Sequence, residues 1–190
     1  PEVVTSVLAD AFQGGWGLQT GLLEGLQSEV ADTLCRRTES ERVRLTTSGT
    51  LANLYAVMLS CAFTGRHTVM KVGGGWQGGH PWALKGSFPD SAGSFDGLDS
   101  EGLPRAFADQ VVVTRFNDTD RLRFDFDQHG DRMAAFVVEP MVGAGGLILR
   151  HNGVSWTTPT SLGLGGHSPK LQTAADRKLW LSWGALYWAG

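Results

Sequence analysis

The chain has 190 residues, 42% of them hydrophobic and 18% charged, with a formal net charge of -3. That size and composition suit one ordinary domain, or one large piece of a bigger protein, with a substantial core, and they exclude global disorder. No basic block points to nucleic acid or a membrane surface, and no apolar run reaches the roughly 18 uncharged residues that a spanning helix needs.

A start at Pro1, with no signal-peptide pattern after it, reads as a piece cut from a longer protein. Two cysteines, Cys35 and Cys61, fall in helical patterns without metal-ligand spacing, so buried thiols in a reducing cytosol are expected. The 26 glycines cluster at 14–25, 73–79, 93–102, 143–146 and 163–166, which divides the chain by loops, where sites usually lie.

In chain order, residues 1–13 place Val4, Val7, Leu8 and Ala11 at helical spacing, and Pro1 suits a first turn. Residues 20–37 carry Leu23, Leu26, Val30 and Leu34 along one stripe, which predicts a second amphipathic helix. "RVRLTT" (42–47) alternates like a strand. Residues 50–64 then put Leu51, Leu54, Tyr55, Met58, Leu59 and Ala62 on one helical face, stopped by Gly65. "HTVMKV" (67–72) reads as the next strand, and a strand–helix–strand succession predicts a parallel pair. "QVVVTRF" (110–116) and "MAAFVVEP" (133–140) are continuous apolar runs, as expected of strands buried on both faces of a parallel sheet. Residues 118–130 between them read as a polar helix or turn. After Ile148 the periodicity fades, and 174–188 fits a short helix or an apolar strand equally. The organisation expected is therefore an α/β unit over 1–148 and a divergent tail of unassigned fold over 149–190.

Three stretches carry chemistry. A helix entered through Thr47, Ser48, Gly49 and Thr50 aims unpaired backbone N–H groups and two hydroxyls at an anion such as phosphate. An ordinary N-cap uses the same residues. Neither a Walker loop nor a GxGxxG fingerprint is present. In "KVGGGWQGGHPW" (71–82) the glycines leave Trp76 free to stack on a planar ring, with Gln77 and His80 placed to hydrogen-bond the same ligand. A hydrophobic plug in a glycine-rich loop is the competing reading. In "VVEPMVGAGG" (137–146) Glu139 ends an apolar run, so its carboxylate needs a partner: a ligand, backbone N–H groups or an Arg. His67, His129, His151 and His167 show no ligand spacing, and Asp125, Asp127 and Asp131 read as a solvated helix face.

Taken together, "RLTTSGTLANLYAVMLSCAFTGRHTVMKV", "GGGWQGGHPWALKG", "RFNDTDRL" and "AAFVVEPMVGAGGLI", in this order, resemble the class III pyridoxal-phosphate aminotransferases, most closely the glutamate-1-semialdehyde aminomutase group. The resemblance covers roughly three quarters of this chain and less than half of a typical member. It implies part of a fold-type I transferase large domain, a mainly parallel sheet flanked by helices, in a cytoplasmic dimer. It also implies pyridoxal 5'-phosphate as cofactor, with an amino donor and a carbonyl acceptor as substrates. Ser48, Gly49 and Thr50 then match the phosphate-binding SGT, Trp76 the aromatic residue over the pyridine ring, and Glu139 the Glu of the family's EP motif. Gln77 stands where the family usually has His, Leu51 where it has the Glu after SGT, and Trp16 falls in a substrate-contacting loop. That chemistry needs a lysine to hold the cofactor and an acid to keep the ring nitrogen protonated. The family's "DEV" strand and "GK" turn, which supply them, have no counterpart here. "SLGLGG" (161–166) is only a faint match, and neither Lys170 nor Lys178 sits in the right context. The resemblance thus implies an aminotransferase or aminomutase by ancestry, silent as this chain alone, or a non-catalytic fragment that binds or dimerises.

Overall fold

The computed structural model describes residues 2–14, 25–97, 100–139, 141–149, 178–182 and 185–189. Trp16, His151, "SLGLGG", His167 and Lys170 lie outside them. The chain forms two compact units, Pro1–Leu45 and Thr46–Gly190. The first holds α1 (Glu2–Gln13) and α2 (Gly25–Thr38), both where apolar spacing predicts them. Residues 42–47 form no strand. Alternation alone is insufficient there, because a strand exists only with a ladder partner, and the described residues provide none.

In the second unit, α3 (Gly49–Thr64) is capped by Ser48, whose side chain accepts from the Leu51 N–H, and ended by Gly65 at φ 68°. That left-handed φ suits glycine, and the Gly65 N–H returns to the Cys61 carbonyl at 2.9 Å. Gly65→Ala meets no steric contact, so it should cost only the left-handed backbone term, about 1 kcal/mol, measured as the shift of a urea midpoint.

The remaining elements follow as β1 (Thr68–Val72), α4 (Pro81–Leu84), α5 (Arg105–Ala108), β2 (Val111–Thr114), α6 (Thr119–His129), β3 (Met133–Val138), β4 (Met141–Val142), β5 (Ile148–Leu149), β6 (Lys178–Ser182) and β7 (Ala185–Ala189). One sheet runs β2-β1-β3-β7-β6. Its β1–β2 and β1–β3 pairs are parallel; β3–β7 and β6–β7 are antiparallel. The undecided stretch after 174 therefore contributes two strands to the same sheet as β3, and β4 with β5 forms a separate two-stranded ribbon.

Alternation along β1 explains why both of its faces are buried. Val69 packs with Ala56 and Val57 of α3 and with Val137, while Met70 packs with Leu122 of α6 and Met133. Helices on both faces leave neither side of the strand wet. Asp125 departs from expectation. It is fully buried and accepts from Arg121 Nε at 2.9 Å, whereas Asp127 and Asp131 are exposed. One turn after Leu122, it lies on the sheet-facing side of α6, which composition alone does not reveal. The Arg121 guanidinium is held further in its charged form by the hydrogen bond to Asp125.

Candidate functional site

The carboxyl end of β1 releases the chain into residues 73–80, which turn back over the start of α3. Gly78 adopts φ 105° and lies so close to α3 that an added Cβ would stand 2.7 Å from Thr50 Cα. The Gly79 N–H donates to Thr50 Oγ1 at 3.3 Å, and Asn53 Nδ2, buried in α3, donates to the Gln77 carbonyl at 2.7 Å. These bonds tie the loop to the helix over more than twenty residues of sequence. Asn53 shows no signal in the sequence; it reads as one polar residue inside an apolar helix.

Gln77 carries the connection onward. Its Nε2 donates to Glu139 Oε1 at 2.8 Å, and the other carboxylate oxygen accepts from the Gly143 N–H at 3.1 Å. The Glu139 carboxylate at the end of β3 is thus answered by an amide side chain and a backbone N–H, with no Arg involved. Gly75 makes room for this pair, because a Cβ there would collide with Gln77 Nε2 and approach Glu139 Oε1 to 3.2 Å. Thr50, Gln77 and Glu139, read separately in the sequence, therefore belong to one hydrogen-bonded framework.

Ser48 and Gly49 stand at its edge. Ser48 Oγ is engaged as the N-cap acceptor, at 3.3 Å from the Leu51 nitrogen. The Gly49 and Thr50 N–H groups, at the first two helical positions, meet no acceptor among the described residues. No atom lies within 4 Å of where a Gly49 Cβ would be, so the approach to these donors is open. Two free N–H groups at the positive end of a 16-residue helix fit a phosphate. Trp76 is 46% exposed, its ring 6.1 Å from that of Phe88 at a tilt of 46°. It is not the plug of the competing reading, and it leaves indole surface for a planar ring.

His80 does not join Gln77 towards a ligand. It is 4% exposed, precedes α4 as its N-cap and faces inward. With Lys71, Gln77, Trp82 and apolar neighbours it lines an internal cavity of about 10 Å³, at the lower limit for one water. Burial above all, and then the nearby Lys71 ammonium, push its pKa down to about 4, against a weak backbone interaction with Gln77. Lys71 is itself buried and donates to the Ala83 carbonyl and to Ser87 Oγ, which fastens the 81–87 segment to β1. Lys85 donates to the Ala108 and Val111 carbonyls. Neither Lys71 nor Lys85 is thus presented to the Trp76 face. The residues present fit the phosphate and ring of a pyridoxal cofactor, and Lys71 and Lys85 are both engaged elsewhere.

No family model matches the chain. Glutamate-1-semialdehyde 2,1-aminomutase of Thermoplasma acidophilum is 36% identical over 153 residues, 78% of this chain and 34% of the relative. The enzyme of the same name from Nitrosospira multiformis is 37% identical over 149 residues, again 78% and 34%. The chain therefore spans about a third of the length of the curated relatives it matches. Among solved structures, an omega-transaminase from Sphaerobacter thermophilus superposes with a TM-score of 0.65 at 30% identity, covering 79% of this chain and 34% of that one. A glutamate-1-semialdehyde aminomutase from Pseudomonas aeruginosa, in complex with PMP, gives 0.62 at 23% identity, over 77% of this chain and 32% of its own, a likeness of fold.

Proposed function

Because the chain belongs, over part of its relatives' length, to the class III pyridoxal-phosphate-dependent aminotransferase family, and within it to the glutamate-1-semialdehyde aminomutase group, we propose that the start of α3, the loop over 73–80 and Glu139 form one wall of a pyridoxal 5'-phosphate site. The Gly49 and Thr50 N–H groups, with the Thr50 and Ser48 hydroxyls, receive the phosphate. Trp76 covers the ring, and Gln77 holds Glu139 beside it. When bound, that cofactor supplies an electron sink for the carbon bearing the migrating nitrogen. This chain's residues bind and orient it. The observation that carries the reading is the Thr50–Gly79, Asn53–Gln77 and Gln77–Glu139 framework, which fixes the indole relative to the free helix N–H groups.

In the whole protein the reaction is transfer of an amino group from an amino compound to a carbonyl acceptor, in the cytoplasm, by a pair of identical chains. The 190-residue chain alone binds without turning over, since the lysine and ring-nitrogen acid contexts are missing from its sequence. Its remaining capacity is that of a binding or dimerisation module.

Titration with pyridoxal 5'-phosphate is expected to quench tryptophan fluorescence, and Trp76→Phe to remove much of the quench. Thr50→Val should weaken binding about tenfold by loss of one hydrogen bond to a charged group, with pyridoxal lacking the phosphate binding far less than either. Equal affinity for the phosphorylated and unphosphorylated forms would reject the phosphate assignment. Borohydride treatment that leaves a stoichiometric lysine adduct, together with transaminase turnover, would reject the silence of this chain.

A further inference from the structure

A second cavity, of about 200 Å³, opens beside the carboxyl end of β2 and is lined by Ser94, Asp96, Thr114, Arg115 and Arg121 among others. Phe95 walls it off from the glycine loop, packing so closely on Gly73 that a Cβ there would lie 2.7 Å from its ring. The carboxyl ends of parallel strands are where α/β sheets commonly seat ligands.

Its charges are arranged by sign. Arg121 is anchored through Nε to the buried Asp125 at 2.9 Å, and its side chain remains 42% exposed. Arg115 is exposed and makes no ion pair or hydrogen bond among the described residues. Asp96 accepts from Ser94 Oγ at 3.1 Å. Its charge reaches Arg121, yet the two come no closer than the 4 Å of an ion pair. Thr114 also lines the cavity; it is 2% exposed, and its Oγ1, closed off from solvent, has no hydrogen-bond partner among the described residues.

The geometry points to a binding site for a small zwitterion, a free amino acid in class, with its carboxylate on Arg115 and Arg121 and its ammonium on Asp96. Two arginines alone would take any anion. The opposed aspartate disfavours a simple anion and selects a ligand carrying both signs. The cavity opens to solvent, and its volume of about 200 Å³ is enough for a short amino acid. None of its charged residues is among those assigned to the phosphate or the ring.

Calorimetric titration of the chain with L-alanine, with acetate and ethylamine as one-ended controls, tests the assignment. Alanine is expected to bind more tightly than either control. Arg115→Gln and Asp96→Asn, both at exposed positions, should each lower its affinity about tenfold without a shift in melting temperature. Asp96→Asn should leave acetate binding no weaker. Thr114→Val should raise the melting temperature, by removing the unpartnered hydroxyl, and leave alanine affinity unchanged. Acetate or inorganic phosphate binding as well as alanine, an unchanged alanine affinity in Asp96→Asn, or no alanine heat would each overturn the site. Pyridoxal 5'-phosphate titration of the same variants should match the parent chain, which separates failure here from failure of the cofactor reading.

Discussion

Gly78→Ala should lower the melting temperature by about 10 °C and remove most pyridoxal 5'-phosphate affinity, at a cost of about 3 kcal/mol. Two terms contribute. At φ 105° an L-residue is strained in place, and the new methyl would sit 2.7 Å from Thr50 Cα. A long side chain could rotate away, but the obstacle here is helix backbone, so the loop must lift from α3. Lifting it breaks the Gly79–Thr50 bond and the Asn53–Gln77 bond, and with them the placement of Trp76. The neighbouring Gly79→Ala is the control. Nothing lies within 4 Å of its Cβ and its φ is not left-handed, so it should change stability by less than about 0.5 kcal/mol. Equal melting temperatures for the two variants would mean that the loop does not lie on the helix as described.

The second large effect is one of pH. In the unfolded chain His80 titrates near 6.5, and in the folded one burial and Lys71 push it down to about 4. Between those values the unfolded state binds more protons, so stability rises with pH. Stability is complete above 6.5, falls as the pH drops towards 4, and loses nothing further from this group below that. The displacement corresponds to up to about 3 kcal/mol, or roughly 5–10 °C in melting temperature for a chain of this size. His80→Gln, which does not titrate, should lack the decline. The difference between the two melting curves, followed from pH 7 to pH 4, isolates this histidine from every carboxylate that titrates in both proteins. Parallel curves would show that His80 is wet. Because His80 precedes α4, acid should also red-shift tryptophan emission in the parent chain before global unfolding.

Local features were the legible ones. The α3 helix and its stop at Gly65 follow from spacing and one left-handed glycine, both written within a few residues. Strands β2 and β3 announced themselves as continuous apolar runs, because helices cover both faces of the sheet. The glycines around Trp76 marked a loop that carries an exposed indole. What stayed hidden depends on partners distant in sequence. Gln77 and Glu139 meet across 62 positions. Lys71 of β1 is held by Ala83 and Ser87, 12 and 16 positions later in the chain.

By itself, then, the order of apolar runs, glycines and hydroxyls determined the kind of fold, the kinship and the places where the chain turns, since each depends on spacing within one element. Only the tertiary structure decided which polar residues face inward. Packing buried Asp125 and His80, left residues 42–47 without a ladder, and joined β6 and β7 to β3. A side chain's burial is set by what packs against its element, and that neighbour is almost never adjacent in the chain.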